Sequence, residues 1–312
     1  MDLRLGVTAV LSWLGLIPVL GLIPANQTGL PPSGQEAPVF SAESELVVLQ
    51  VMVEDRHGRY VSDLSGDAFS VVEDGAAQPI VFFNRQDAPA TVGLLIDSSG
   101  SMRGVGDLVA AAAATFVTIS NPNDEMFALT FGDDVRSALP AEDPFTSDGA
   151  TLRGALLDVI TARGRTALYD AMAEGLRYAD RGIHERKVLI VVSDGGDNAS
   201  GTAFDNVVRA AQRSNVLIYG VVIRDPLEPD ANPRRLKRLA EQSGGESFEP
   251  HNVSDVPSVL QHIARDIRNM YTLGYAPPSG KGPGLRRIDV RVTGQGRVRV
   301  RTRDAYLVEK KK

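Results

Sequence analysis

Asp97, Ser99 and Ser101 alternate along the stretch Asp97-Ser98-Ser99-Gly100-Ser101-Met102, directly after the apolar run Val92-Gly93-Leu94-Leu95-Ile96. One carboxylate and two hydroxyls offer oxygen alone, and oxygen-only donors suit a hard cation such as Mg²⁺. Three donors do not fill the six positions that Mg²⁺ demands. Two further candidates stand where the fold would bring them close. Thr166 lies in Arg163-Gly164-Arg165-Thr166-Ala167-Leu168, a loop that opens a helix. Asp194 lies in Ser193-Asp194-Gly195-Gly196-Asp197-Asn198, just past a second apolar run. Any one of these residues alone reads more simply as a helix cap or turn former. The five together, each after an expected strand or at a helix start, read as a metal site that binds and does not react. Enzyme chemistry finds little support. The second aspartate that phosphoaspartyl hydrolases place two residues after the nucleophile is missing, as are a G-x-S-x-G elbow and a G-x-x-x-x-G-K-[ST] phosphate loop.

These donors must be positioned by strands and helices. The run ending at Ile96 is unbroken, which predicts a strand buried on both faces, and ligands in open α/β sheets bind beyond the C-terminal ends of such strands. Further strands are expected at Glu125–Phe131, Lys187–Val192, Val216–Val222 and Ser247-Phe248, with Val135–Leu139 returning as an antiparallel edge. Helices are expected at Leu108–Ile119, Leu152–Thr161, Leu168–Tyr178, Phe204–Gln212, Arg234–Gln242 and Val256–Met270. Strands alternating with helices predict an α/β unit, a doubly wound and mostly parallel sheet covered on both faces. The Lys187–Val192 strand should lie beside the Val92–Ile96 strand.

The flanks are β-like. Leu46–Glu54, Phe69–Glu73 and Pro79–Phe83 precede the α/β unit, with a turn at Asp74-Gly75. Tyr271–Tyr275 follows it, and Arg287–Val292 and Arg297–Thr302 are expected to form a hairpin around Gly294-Gln295-Gly296. Neither set is large enough alone. The economical arrangement is one small β domain built from both, with the α/β unit inserted between them. The expected division is therefore a leader over residues 1–25, a linker over 26–42, an N-terminal β segment over 43–87, the α/β domain over 89–270 and a C-terminal β segment over 271–308.

Length and composition agree with two domains: the chain has 312 residues, 43% of them hydrophobic. It has no cysteine, which excludes disulfides, thiolate zinc sites and cysteine nucleophiles. The four histidines show no metal-ligand spacing. The net charge of −6 speaks against nucleic acid as the main partner, although residues 281–312 hold eleven Lys/Arg against three Asp/Glu. Arg4 precedes an apolar stretch from Leu5 to Ile23, and Pro24-Ala25 leads into polar sequence, the pattern of a secretory signal peptide. An uncleaved membrane anchor is the alternative; both place the rest of the chain outside the cytoplasm, secreted or periplasmic.

With D-x-S-x-S, the loop threonine and the later S-D-G-G-D in this order, the chain resembles a von Willebrand factor type A domain with a metal-ion-dependent adhesion site. The flanking Phe69–Gly75 (F-x-V-x-E-D-G) and Tyr271–Tyr275 (Y-x-L-G-Y) are similar to segments of bacterial secreted proteins related to that family. The resemblance implies that Ser99, Ser101 and Thr166 ligate Mg²⁺ (Mn²⁺ could substitute) through hydroxyls, with Asp97 and Asp194 acting mostly through water. It implies a protein partner that offers an acidic side chain to an open position on the ion. A cell-envelope scaffold with a metal-stabilised fold and, more remotely, a metal-dependent hydrolase are the alternatives.

Other features have plainer readings. The alternating Arg297-Val-Arg-Val-Arg-Thr-Arg303 reads as a solvated face or a charged edge strand, ahead of an anionic-surface patch. Asp133-Asp134 reads as a solvated turn, ahead of added acidity near the site, and Asp197 as a turn residue.

Overall fold

The buried run after residue 89 forms the middle of a six-stranded sheet. The computed structural model describes residues 46–160, 163–223, 232–278 and 282–309. The expected leader and linker lie outside the described residues. Strands β1 (Val47–Asp55), β2 (Phe69–Glu73), β3 (Ala76–Gln78) and β4 (Ile80–Asn84) come first. The α/β part follows: β5 (Ala90–Asp97), α1 (Gly106–Ile119), β6 (Glu125–Phe131), β7 (Val135–Ser137), α2 (Gly149–Val159), α3 (Leu168–Arg181), β8 (Arg186–Ser193), α4 (Phe204–Arg213), β9 (Val216–Val222), α5 (Pro233–Ser243), β10 (Ser247–Phe248) and α6 (Val256–Arg268). Last come β11 (Tyr271–Tyr275), β12 (Gly284–Val292), β13 (Val298–Arg301) and β14 (Ala305–Val308).

The central sheet runs β10-β9-β8-β5-β6-β7 and is parallel except for β7, which returns antiparallel against β6. Every residue of β5 is buried. Alternate side chains feed two separate cores. Val92, Leu94 and Ile96 join α1 and α6, while Leu95 joins α3, α4 and α5 on the other face. Gly93 leaves no room for a side chain: a Cβ there would lie 2.2 Å from Phe127 Cζ and 2.5 Å from Leu189 Cδ2. The strand order reverses between β5 and its neighbours β8 and β6, so the ends of these three strands open onto a shared crevice.

The flanking strands pair with one another. One four-stranded sheet runs β13-β1-β11-β4 and a second β14-β12-β2-β3, each mixing strands from before and after the α/β part. Leu49, Val51, Val71, Tyr271, Leu273, Tyr275 and Val290 fill the core between them. Asp74 (φ 49°) and Gly75 (φ 85°) make the two-residue turn between β2 and β3, the left-handed pair that a tight hairpin needs. The expected hairpin between Arg287–Val292 and Arg297–Thr302 does not form. Both edges of β12 are taken, by β2 and β14, while β13 pairs with β1 in the opposite sheet. The glycine-rich turn carries the chain from one sheet to the other.

Candidate functional site

The five predicted donors come from three segments that are stitched together by backbone hydrogen bonds. At the end of β5, the Ser98 N–H donates to Phe131 O (2.8 Å), which ties the first segment to the end of β6. The loop before α3 is held against it: Arg163 N–H donates to Ser98 O (3.0 Å), Gly100 N–H to Gly164 O (3.3 Å) and Ala167 N–H to Gly132 O (2.8 Å). The same loop is tied to the third segment. Thr166 N–H donates to Asn198 Oδ1 (2.9 Å), and Asn198 and Ala199 N–H donate back to Thr166 O (3.0 and 3.1 Å).

Inside this frame Asp97 is almost wholly buried. Its Oδ1 accepts the Ser99 N–H (2.9 Å) and its Oδ2 accepts the Ser193 hydroxyl (2.6 Å). Ser193 in turn accepts the Gly195 N–H (3.0 Å), so the β8 loop is pinned to the β5 carboxylate. Burial pushes the Asp97 carboxyl up to about 6, against the lowering effect of the Ser193 and Ser99 hydrogen bonds and with a smaller push from Asp194. Ser99 and Ser101 place their hydroxyl oxygens 3.0 Å apart. Neighbouring corners of an octahedron with bonds of about 2.0–2.1 Å lie about 2.9 Å apart. Asp194 is buried; its Oδ1 accepts the Gly196 N–H (2.8 Å), but among the described residues its Oδ2 has no hydrogen-bond partner. An ionised oxygen left alone in a dry site is costly unless a cation balances it. Thr166 is buried, on the loop whose Gly164 O accepts from Gly100 N–H, and Ser101 is half-buried. An all-oxygen set of three hydroxyls and two carboxylates fits a hard divalent ion.

The residues around this set do more than a sequence reading assigns them. Asp133 is not merely a solvated turn: its Oδ1 accepts the Arg165 backbone N–H (3.3 Å) and side-chain Nε (3.1 Å), bracing the loop that carries Thr166. Asp197 accepts the Tyr169 N–H (3.1 Å) and the Ser200 hydroxyl (2.5 Å), which closes the first turn of α3.

A second cluster sits where α6 meets the flanking strands. Glu54, His262 and Asp266 place ligand-type atoms within 4.8 Å of one another. It is already charge-compensated. Arg301 donates to Asp266 Oδ2 and to Glu246 Oε2 (2.5 Å each), and Arg299 reaches Glu54 (3.6 Å) and Glu246 (3.2 Å). Tyr60 and Tyr219 hydroxyls donate to Asp266 as well (2.7 and 3.2 Å). This corrects the solvated reading for Arg301 and Arg303, while Arg297 and Arg299 stay exposed and the charged-edge reading holds. Strand β13 is an edge, but Arg301 is buried against α6, and Arg303 donates to Ser214 O and Val48 O (3.1 Å each). The alternation of the arginines was legible, but their acidic partners are distant in sequence and were not.

The family model described as the von Willebrand factor type A domain matches residues 92–264. Among solved structures, "von Willebrand factor type A from Catenulispora acidiphila" is similar over 86% of this chain and 73% of that one, at 13% identity and a TM-score of 0.51. Proximal thread matrix protein 1 from the mussel byssus is similar over 66% of this chain and 51% of that one, at 14% identity and a TM-score of 0.50. At these identities the likeness is one of fold. No curated protein matches the sequence.

Proposed function

The chain belongs to the von Willebrand factor type A domain family, and from that premise we propose that Asp97, Ser99, Ser101, Thr166 and Asp194 form a Mg²⁺ site that captures an acidic side chain of a partner protein. Domains of this family mediate protein–protein interactions. The observation that carries the reading is the Asp194 carboxylate oxygen, buried without a partner among the described residues, beside a desolvated Asp97. Mg²⁺, or Mn²⁺ in its place, would supply positive charge and one open coordination position. The protein supplies the rest. Ser99, Ser101 and Thr166 offer neutral hydroxyls, which leave the cation's charge largely uncompensated. Asp97 and Asp194, held by Ser193 and Gly196, would act mostly through water and so offset that charge only in part. This donor set would leave a bound ion under-neutralised, which would favour a further carboxylate from a partner without any reaction. The apolar stretch before Pro24 supports a place outside the cytoplasm, and among the described residues no helix is long and apolar enough to cross a membrane.

Calorimetric titration of Mg²⁺ into the wild type and the D97A variant tests this. A saturable signal in the wild type and its loss in D97A are expected. Equal Mg²⁺ affinity in both would remove the site. Capture of partners from an extract should fail with a chelator and recover when Mg²⁺ is restored.

A further inference from the structure

Helix α5 carries Arg234, Arg235, Lys237 and Arg238 in its first two turns, and all four are exposed. Cations at a helix N-terminus oppose the helix dipole, so this placement does not serve the helix. Among the described residues their one ion pair is Lys237 with Glu241, at 3.8 Å. Asp197 and Asp205 lie within the field of Arg235, but neither pairs with it. The arginines are nevertheless held in place. The Arg235 guanidinium lies over the rings of Tyr169 (5.6 Å) and Phe204 (5.3 Å) and donates to the Tyr169 hydroxyl, and Arg238 lies over Phe204 (5.6 Å). A guanidinium held over aromatic rings keeps further N–H groups to offer to carboxylates.

This row of cations begins at the candidate site. Tyr169 stands three residues after Thr166, and its N–H is held by Asp197. The start of α5 abuts the residue after Asp194: a Cβ on Gly195 would lie 3.0 Å from Asn232 C and O and from Pro233 Cα. We propose that Arg235 and Arg238, with Arg234 and Lys237 beside them, receive additional carboxylates of an acidic polypeptide segment whose first carboxylate is captured at the Asp97–Asp194 site. The inference rests on the reading of that site as a cation site. Nucleic acid fits the row less well. Tyr169 is buried and Phe204 half-buried beside Arg235 and Arg238, which leaves little open ring surface for base stacking, and outside its C-terminal tail the chain is net negative.

The test uses the whole chain and a labelled synthetic peptide of alternating Glu and Ser, read by fluorescence anisotropy in Mg²⁺ buffer. The wild type should bind it, with affinity that falls as salt rises. The R235Q/R238Q variant should bind it about tenfold more weakly, with a flatter salt dependence and with Mg²⁺ affinity unchanged. No binding by the wild type, or equal binding by the variant, overturns the proposal. So does an oligothymidylate that binds more tightly than the peptide with the same arginine dependence. The cation site has its own control in D97A, which should lose Mg²⁺ binding and peptide affinity together. A D97A chain that binds Mg²⁺ normally overturns the cation-site reading, and the two-point capture with it, whatever the arginines do.

Discussion

The Tyr275 hydroxyl donates a 2.8 Å hydrogen bond to Glu73 Oε2 across a sequence separation of 202 residues. Tyr306 donates to the same oxygen (2.9 Å), and the carboxylate is almost wholly buried. The two flanking motifs, one ending in Glu73-Asp74-Gly75 and the other in Leu273-Gly274-Tyr275, therefore meet inside the β sandwich. Phe69 and Tyr271, the first residues of the same two motifs, also touch, with ring centroids 5.0 Å apart. Their spacing is explained by packing against each other, and they need no ligand.

Removing the Tyr275 hydroxyl should therefore cost stability and nothing else. In Y275F one buried hydrogen bond to a carboxylate is lost while the Tyr306 bond remains. The expected loss is about 1–2 kcal/mol in urea unfolding, with Mg²⁺ affinity unchanged. A variant as stable as the wild type would show that the bond is replaced by another partner.

Arg301 and Asp266 make the corresponding link between the sandwich and the α/β part. Asp266 has no exposure to solvent and Arg301 very little. R301M leaves a buried carboxylate without its cation and should cost about 3–5 kcal/mol. The R301M/D266N double variant should recover a large part of that. A double-mutant cycle by chemical denaturation checks the pair, and additive losses would mean that the two do not interact.

Most of the α/β part was legible in the sequence because its signals are local. The unbroken run at Val92–Ile96, the helical periodicity after it and the turn at Asp74-Gly75 each follow from neighbouring residues, and their limits moved by only a few positions in the structure. The proposed donors Asp97, Ser99 and Ser101 stand out for the same reason, since they follow one another directly after that run. What was not legible depends on distant partners. The glycines at Gly294 and Gly296 look like a hairpin turn, and only the occupied edges of β12 show that the chain crosses to the other sheet. Arg301 and Arg303 look like a solvated face until Asp266, Glu246 and the Ser214 carbonyl are found against them. Asp133 looks like a free turn residue until its contact with Arg165 is seen.

Asp194 should behave as a residue that costs stability without a cation. Its Oδ2 is buried and unpartnered among the described residues, so D194N removes a charge that none of them pairs with. The metal-free variant is expected to melt at or above the wild-type temperature. Adding Mg²⁺ should raise the wild-type melting temperature, since a ligand of the folded state alone stabilises it, and should leave D194N nearly unmoved. Equal shifts in the two proteins would separate Asp194 from the site.

Asp97 sets the pH dependence. Its folded-state pKa is raised to about 6 from the ordinary aspartate value of 3.8 because burial penalises the charge. Between those two values the folded chain keeps a proton that the unfolded chain has released. Metal-free stability should therefore fall as pH rises through that window, by on the order of 3 kcal/mol, and level off above it. The same proton competes with Mg²⁺, so affinity for the ion should weaken as pH drops below about 6. Asp124 and Asp304 are also raised by burial and contribute the same sign, so the wild-type curve alone does not isolate Asp97. D97N does isolate it: the variant has no proton to lose at this position. Melting curves of both proteins in chelator, from pH 4 to pH 7.5, should converge at the acid end and separate toward neutrality, with D97N the more stable. Curves that stay parallel across the window would mean that Asp97 ionises at the same pH folded and unfolded.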